Sequence, residues 1–150
     1  METIHAADRV FVAWDCAQPV EHGAVVVVQD RIGAVGPYEE LRERFPQARV
    51  RRWPGSLGPA RVHDGPLPEA PSARERVHAV LKLGATAVLE AYADSPELRA
   101  AAARNDVVIL PGTPRKPTIS ETGRADLAVF DEAGACIATV CAGRLVHRRK

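Results

Sequence analysis

The fold is decided by one stretch near the N-terminus, residues 23–37, which reads GAVVVVQDRIGAVGP. Its first half is a run of β-branched side chains of strand length, and Gln29-Asp30-Arg31 supplies turn residues before a second apolar run from Ile32 to Val35. This pattern predicts a β-hairpin. Pro37 then predicts the start of a short helix from Tyr38 to Phe45.

Both ends of the chain carry further strand-like patterns. Near the N-terminus, Val10 to Val12 and Ala48 to Trp53 are short extended segments. Near the C-terminus, apolar segments at residues 126–130, 136–141 and 144–147 are separated by turn residues. These three segments predict a β-meander.

The middle of the chain alternates between helical and strand patterns. It predicts, in chain order, a helix over 72–83, a strand over 86–89, a helix over 95–104 and a strand over 107–110. Ser72 begins the first helix in a capping box with Glu75, and Pro96 opens the second helix. This order is typical of α/β structure, so the two strands are expected to be parallel neighbours. Proline-rich segments over 54–71 and 111–122 predict linkers on either side.

Composition excludes several classes of protein. The 150 residues are 46% hydrophobic and 26% charged, as in soluble globular domains, with a net charge of only +1. The balanced charge argues against nucleic acid as a partner, and no apolar run is long enough for a membrane span. We therefore expect a cytoplasmic protein with reduced cysteines, of which Cys136 and Cys141 are expected to be small buried hydrophobes.

Two segments carry a resemblance to a known family. Residues 20–37, with the hairpin, and residues 123–146, which include Gly123-Arg124-Ala125-Asp126-Leu127, resemble the opening and closing segments of the amidohydrolase superfamily. Imidazolonepropionases and the related cytosine, guanine and aminodeoxyfutalosine deaminases are the most similar subgroup. In such enzymes both ends fold together into a small β-sandwich, the composite domain, beside a metal-bearing barrel.

The resemblance implies a mixed α+β fold. Residues 1–58 and 123–150 would form the composite β-sandwich, and residues 59–122 would form an inserted, vestigial α/β lobe. Within that lobe, the segment 84–88 resembles part of the second barrel strand, so one or two βα units are expected. A complete eight-stranded barrel takes about 250 residues, more than this sequence holds.

The family's metal-binding motif is incomplete here. The resemblance places an H-x-H motif within residues 58–65, where His63 is the one histidine and Arg61 or Gly65 stands at the second position. A catalytic zinc site usually needs three protein ligands. A reduced site could combine His63 with Asp64 and Glu90, with His63 as the metal ligand.

Two functions follow from these observations. The first is a non-catalytic binding or assembly module without a cofactor, active as a homodimer or as a subunit of a larger assembly, because the strand edges of a reduced barrel need a partner. Such a module could also bind a small-molecule ligand. The alternative is a zinc-dependent hydrolase of cyclic, non-peptide C–N bonds with its site around His63.

Overall fold

The computed structural model describes residues 1–112 and 115–149. Its strands and helices follow in chain order: β1 Glu2–Val10, β2 Val20–Glu21, β3 Gly23–Val28, β4 Arg31–Pro37, α1 Tyr38–Arg44, β5 Arg49–Pro59, β6 Arg61–His63, α2 Ala73–Lys82, β7 Ala85–Leu89, a 3₁₀ helix Glu90–Tyr92, α3 Pro96–Arg104, β8 Val108–Leu110, β9 Leu127–Phe130, β10 Cys136–Cys141 and β11 Arg144–Arg148. None of the helices in these residues is long and apolar enough to cross a membrane.

The larger sheet has eight strands and contains both ends of the chain. Its strand order is β11-β10-β9-β5-β1-β3-β4, with β2 paired to β1. The predicted hairpin is confirmed as β3 and β4, which pair antiparallel with Val25 opposite Val35. The predicted meander is confirmed as β9, β10 and β11. Among the described strands of this larger sheet, only β1 and β5 pair in parallel. The connection between them contains the hairpin and α1.

The sheet folds over so that its two halves share one core. Val25 of β3 and Ile32 of β4 belong to the same buried cluster as Val129 of β9 and Val140 of β10. The halves also meet at their edges, where the Ile32 amide donates to the Gly123 carbonyl over 2.8 Å. The two terminal segments therefore build one sheet-based body, and the predicted mixed α+β fold class is confirmed.

Two strand predictions near the N-terminus need correction. The extended segment placed at residues 10–12 is the nine-residue β1, which ends at Val10. The linker placed from Pro54 begins too early, because β5 continues to Pro59. Pro54 is tolerated since it lies in an irregularity between the pairs Ala7–Trp53 and Arg9–Ser56, where a strand residue has no ladder hydrogen bond to donate. The linker proper covers residues 64–71.

A smaller, three-stranded parallel sheet occupies the middle of the chain. Its strand order is β6-β7-β8, with Val88 opposite both His63 and Ile109. The predicted parallel pairing of the two apolar strands is thus confirmed. Helices α2 and α3 cover one face through Val80, Leu98 and their neighbours, and Val88 packs against them. The loop that follows β8 includes Thr113 and Pro114, which lie outside the described residues.

Both helices of this lobe begin as the sequence predicts. The Ser72 hydroxyl accepts the Glu75 amide over 3.2 Å, and the Ser95 hydroxyl accepts the Leu98 amide over 3.1 Å. These bonds satisfy amides that have no partner within the helix.

Candidate functional site

His63 and Asp64 lie at the carboxyl end of β6. His63 is half-buried, and its Nε2 lies 2.9 Å from the carbonyl oxygen of Pro66, three residues further along the chain. Asp64 is exposed and follows the strand directly. The imidazole is thus already engaged in a local loop contact, with its Nε2 in the donor role.

The direction of β6 decides what His63 can reach. Val62 packs with Ala87, Leu89 and Leu110 on the face of the small sheet opposite the helices, here called the inner face. Because alternate side chains of a strand point to opposite faces, His63 is directed away from that face. The register between β6 and β7 shifts between Val62 and Arg61, so this alternation does not extend to Arg61. His63 instead lines an outer cavity with Lys82 and Cys136, between the end of α2 and the β9–β10 turn.

Arg61 stands where the resemblance would place a second metal ligand. Its guanidinium carbon lies 4.0 Å from the centre of the Phe130 ring and 5.7 Å from that of Trp14, both within cation–π range. A fixed positive charge two residues from His63 opposes the binding of a divalent cation there.

Glu90 lies apart from this pair. It begins the 3₁₀ helix after β7, is exposed, and does not line the outer cavity. Within residues 1–112 and 115–149, no group of three or more His, Cys, Asp or Glu side chains is arranged to hold a metal ion. His63, Asp64 and Glu90 therefore do not form such a group.

Cys136 and Cys141 are not activated nucleophiles. Burial raises the pKa of the Cys141 thiol to about 11, and burial also raises the pKa of Cys136. Thiols with raised pKa values are protonated at neutral pH and unreactive. Cys141 is fully buried and Cys136 half-buried, so the prediction of a small buried hydrophobe is confirmed for Cys141 and holds in part for Cys136.

A second cavity of about 280 Å³ lies against the inner face of the small sheet. Its floor is apolar and is formed by Val62, Ala87, Val108 and Leu110. The rim is formed by the segment 115–118 and by residues just before β9. We call it the inner-face cavity.

The rim of the inner-face cavity is rich in cations. Arg61, Arg115, Lys116 and Arg124 line it together with one carboxylate, Asp126. Two of these cations have acidic partners. The Arg124 Nε donates to Asp126 over 2.9 Å, and the Lys116 ammonium lies 2.7 Å from a carboxylate oxygen of Asp15.

The other two cations, Arg61 and Arg115, make no ion pair within the part of the chain that the structure describes. Sequence reasoning missed this cavity because its cations are up to 63 positions apart, from Arg61 to Arg124, and are spread among ordinary surface arginines. The one signal present in the sequence is that Arg61 stands two residues before His63, where the family motif has a ligand.

Comparison with known proteins agrees with the resemblance seen in the sequence. The family model described as imidazolonepropionase-like composite domain, bacteria, matches residues 23–48, which include the hairpin and α1. The resemblance is confirmed. No curated protein sequence matches the chain significantly.

Solved structures share the fold at low sequence identity. Aminofutalosine deaminase of Helicobacter pylori aligns with a TM-score of 0.57 and 17% identity over 74% of this chain and 33% of its own. Guanine deaminase of E. coli gives 0.56 and 16% over 75% of this chain and 36% of its own. A zinc-bound adenosine deaminase of Xanthomonas campestris gives 0.53 and 22% over 72% of this chain and 33% of its own. The chain thus spans about a third of the length of these deaminase structures and shares the fold of that part.

Proposed function

We propose that the chain is a non-catalytic assembly module with an amidohydrolase-like composite fold, and that it forms a homodimer in the cytoplasm through the free edge of β8. The observation that carries this proposal is the state of that edge. In the described residues β8 pairs with β7 on one side and with no strand on the other.

The β8 edge lacks the features that keep strand edges apart. Natural edge strands are blocked by charged residues, proline or bulges. β8 consists of Val108, Ile109 and Leu110, with neither charge nor proline, and its register with β7 is regular. The opposite edge of the same sheet, β6, carries Arg61 and His63. An apolar edge on one side and a charged one on the other favour association through β8 alone.

A second copy of the chain fits this edge. Two β8 strands related by a twofold axis would pair antiparallel, and the small sheet would become a continuous sheet of six strands. No charge on β8 opposes a charge on its copy. The inner face and its cavity would stay open in this arrangement, since edge pairing extends a sheet in its own plane.

Three observations favour assembly over hydrolysis. Arg61 stands at a ligand position of the family motif, the His63 imidazole is engaged with the Pro66 carbonyl, and β6 directs His63 away from the inner face. A zinc-dependent hydrolase of cyclic C–N bonds remains the alternative prediction, and among the residues that the structure describes no group of His, Cys, Asp or Glu side chains fits a three-ligand zinc centre.

Light scattering after size-exclusion chromatography tests the proposal. The expected mass at micromolar concentration is twice the 16.2 kDa of one chain. Val108→Lys places a charge on the edge and is expected to give the monomer mass, whereas Val108→Thr keeps the shape of the side chain and is expected to stay dimeric. A wild-type protein with the mass of one chain, or a Val108→Lys variant that stays dimeric while folded by circular dichroism, contradicts the proposed interface.

A further inference from the structure

We propose that the inner-face cavity binds a small organic carboxylate, with its apolar body on Val62, Ala87 and Val108 and its carboxylate between Arg61 and Arg115. The cavity lies on a face of the small sheet and the proposed interface lies at its edge. Val108 belongs to both, and the experiments below leave it unchanged, so they test the cavity separately from the assembly proposal. The inference rests on the charge of the rim, the chemistry of the floor and the size of the space.

The charge of the rim favours an anion. Asp126 is already occupied, since it accepts both from Arg124 and from the Ala142 amide over 2.9 Å each. Lys116 is engaged with Asp15. Positive charge on the rim is therefore in excess at Arg61 and Arg115, the two guanidinium groups without a carboxylate partner in the described part of the chain.

Arg61 is held in place for such a ligand. Its guanidinium carbon lies 4.0 Å from the centre of the Phe130 ring, and a cation–π contact of this kind does not use up the N–H donors of the group. A carboxylate is the anion whose two oxygens match those paired donors. Because the ring fixes the side chain before binding, little rotamer entropy is lost when the ligand arrives.

The floor and the volume define the rest of the ligand. Ala87 and Leu110 are buried aliphatic residues, and Val62 and Val108 are half-buried beside them. An inorganic anion would leave this apolar surface uncovered, whereas the body of an organic acid would cover it. A volume of about 280 Å³ is close to the lower limit of ordinary ligand pockets, about 300 Å³, so the ligand is a single-ring or short-chain acid.

Isothermal titration calorimetry with three probes separates the contribution of the ligand's charge to binding from that of its apolar part. Benzoate has a negative charge and an apolar ring, benzamide has the ring without the charge, and inorganic phosphate has negative charge without the ring. We expect benzoate to bind with a dissociation constant on the order of 1 mM, as is typical of so small a ligand, and to bind more weakly in added salt. Benzamide and phosphate are expected to bind at least about tenfold more weakly, since each lacks one of the two interactions.

Variants locate the binding site. Arg61→Gln and Arg115→Gln are each expected to weaken benzoate binding about tenfold, as for the loss of one hydrogen bond to a charged group. Arg44→Gln is the matched control, because Arg44 also lies over an aromatic ring, Phe45 at 5.4 Å, but outside the cavity. Arg115 is exposed, so Arg115→Gln tests the site even if Arg61→Gln disturbs the packing on Phe130.

The outcomes decide the proposal. Selective benzoate binding that both cavity variants weaken and the control leaves unchanged supports it. Phosphate binding as tight as benzoate binding overturns the assigned ligand class. Absence of benzoate binding, or equal binding by wild type and Arg115→Gln, overturns the site. The oligomeric mass enters none of these readouts, so failure here leaves the assembly proposal standing.

Discussion

Acid should destabilise this protein through one buried histidine, His5. The imidazole lies in the middle of β1 and is 3% exposed. Its Nδ1 accepts a hydrogen bond from the Trp53 indole over 3.1 Å, and the two rings stack with an interplanar angle of 12°. Burial, and to a lesser extent the positive charge of Arg51, lowers the pKa of His5 from 6.5 to about 4.

The shift in pKa sets both the sign and the size of the effect. The unfolded chain binds a proton at His5 near pH 6.5, whereas the folded chain resists it until about pH 4, so the unfolded state gains protons first as the pH falls. Stability linked to His5 is therefore complete above pH 6.5 and is lost as the pH falls through 4. A difference of two and a half units corresponds to about 3 kcal/mol in total, of which about 2 kcal/mol is lost between pH 7.5 and pH 5.

Urea unfolding followed by circular dichroism at pH 7.5 and pH 5 measures this loss. His5→Asn removes the titrating ring and keeps a side-chain acceptor for the Trp53 indole, so its free energy of unfolding should change much less over this range. His22→Asn is the control, because His22 is exposed and its φ of +47° lies in a region that asparagine tolerates. Carboxylates such as Asp15 and Asp131 do not obscure the result, since hydrogen bonds to Lys116 and to the Ala135 amide lower their pKa values.

If wild type and His5→Asn lose the same free energy between pH 7.5 and pH 5, the acid sensitivity does not come from His5. The physical reasoning would then be wrong at its first step, the cost of placing a charged imidazole in the core beneath Trp53.

Two further substitutions test the core and the site. Gly143→Ala should lower the free energy of unfolding in urea by at least about 2 kcal/mol, because φ is +82° and an added Cβ would overlap the Gln29 carbonyl oxygen. Gly134→Ala is the control, since Gly134 has a similar φ of +86° but open space around it, and should lower the free energy of unfolding by about 1 kcal/mol. Equal losses would contradict the close packing of the two hairpin turns. His63→Ala should leave the metal content of the purified protein unchanged by elemental analysis, since the imidazole serves a loop contact with the Pro66 carbonyl. Stoichiometric zinc in wild type that disappears in this variant would contradict the proposed non-catalytic role and support the hydrolase.

The sequence predicted correctly those elements that are determined by interactions between residues close together in the chain. The β-branched run of β3 and the side chains of Ser72 and Ser95 act on neighbours within a few residues, and each appears in the structure as predicted. The sequence did not predict the full length of β5, because the residues that allow the strand to continue past Pro54 lie far away along the chain. Pro54 ends a strand in most contexts, but here its neighbour Gly55, at φ +93°, donates its amide to the Asp8 carboxylate across a local irregularity.

The candidate site was less predictable than the fold, for a related reason. Sequence alignment to the family motif places His63 near a ligand position but does not determine which face of β6 its side chain occupies. That face is set by Val62, which packs on the inner face with Ala87 and Leu110 from strands far along the chain. The inner-face cavity depends in the same way on where the segment 115–118 crosses the sheet, which no local pattern encodes.

The way the small sheet is attached explains how a reduced lobe can remain ordered. The buried Thr139 hydroxyl of β10 donates to the Leu81 carbonyl at the end of α2 over 2.7 Å, and Gly84 leaves room for the Phe130 ring where a Cβ would come within 2.6 Å of it. Arg124 also reaches from the segment before β9 to the Asp106 carbonyl. These contacts join the lobe to the larger sheet, whereas in the described part of the chain the β8 edge pairs with no further strand and the inner face borders a cavity. The proposed ligand and the proposed partner would therefore occupy separate surfaces of the same three strands, the ligand on a face and the partner at an edge.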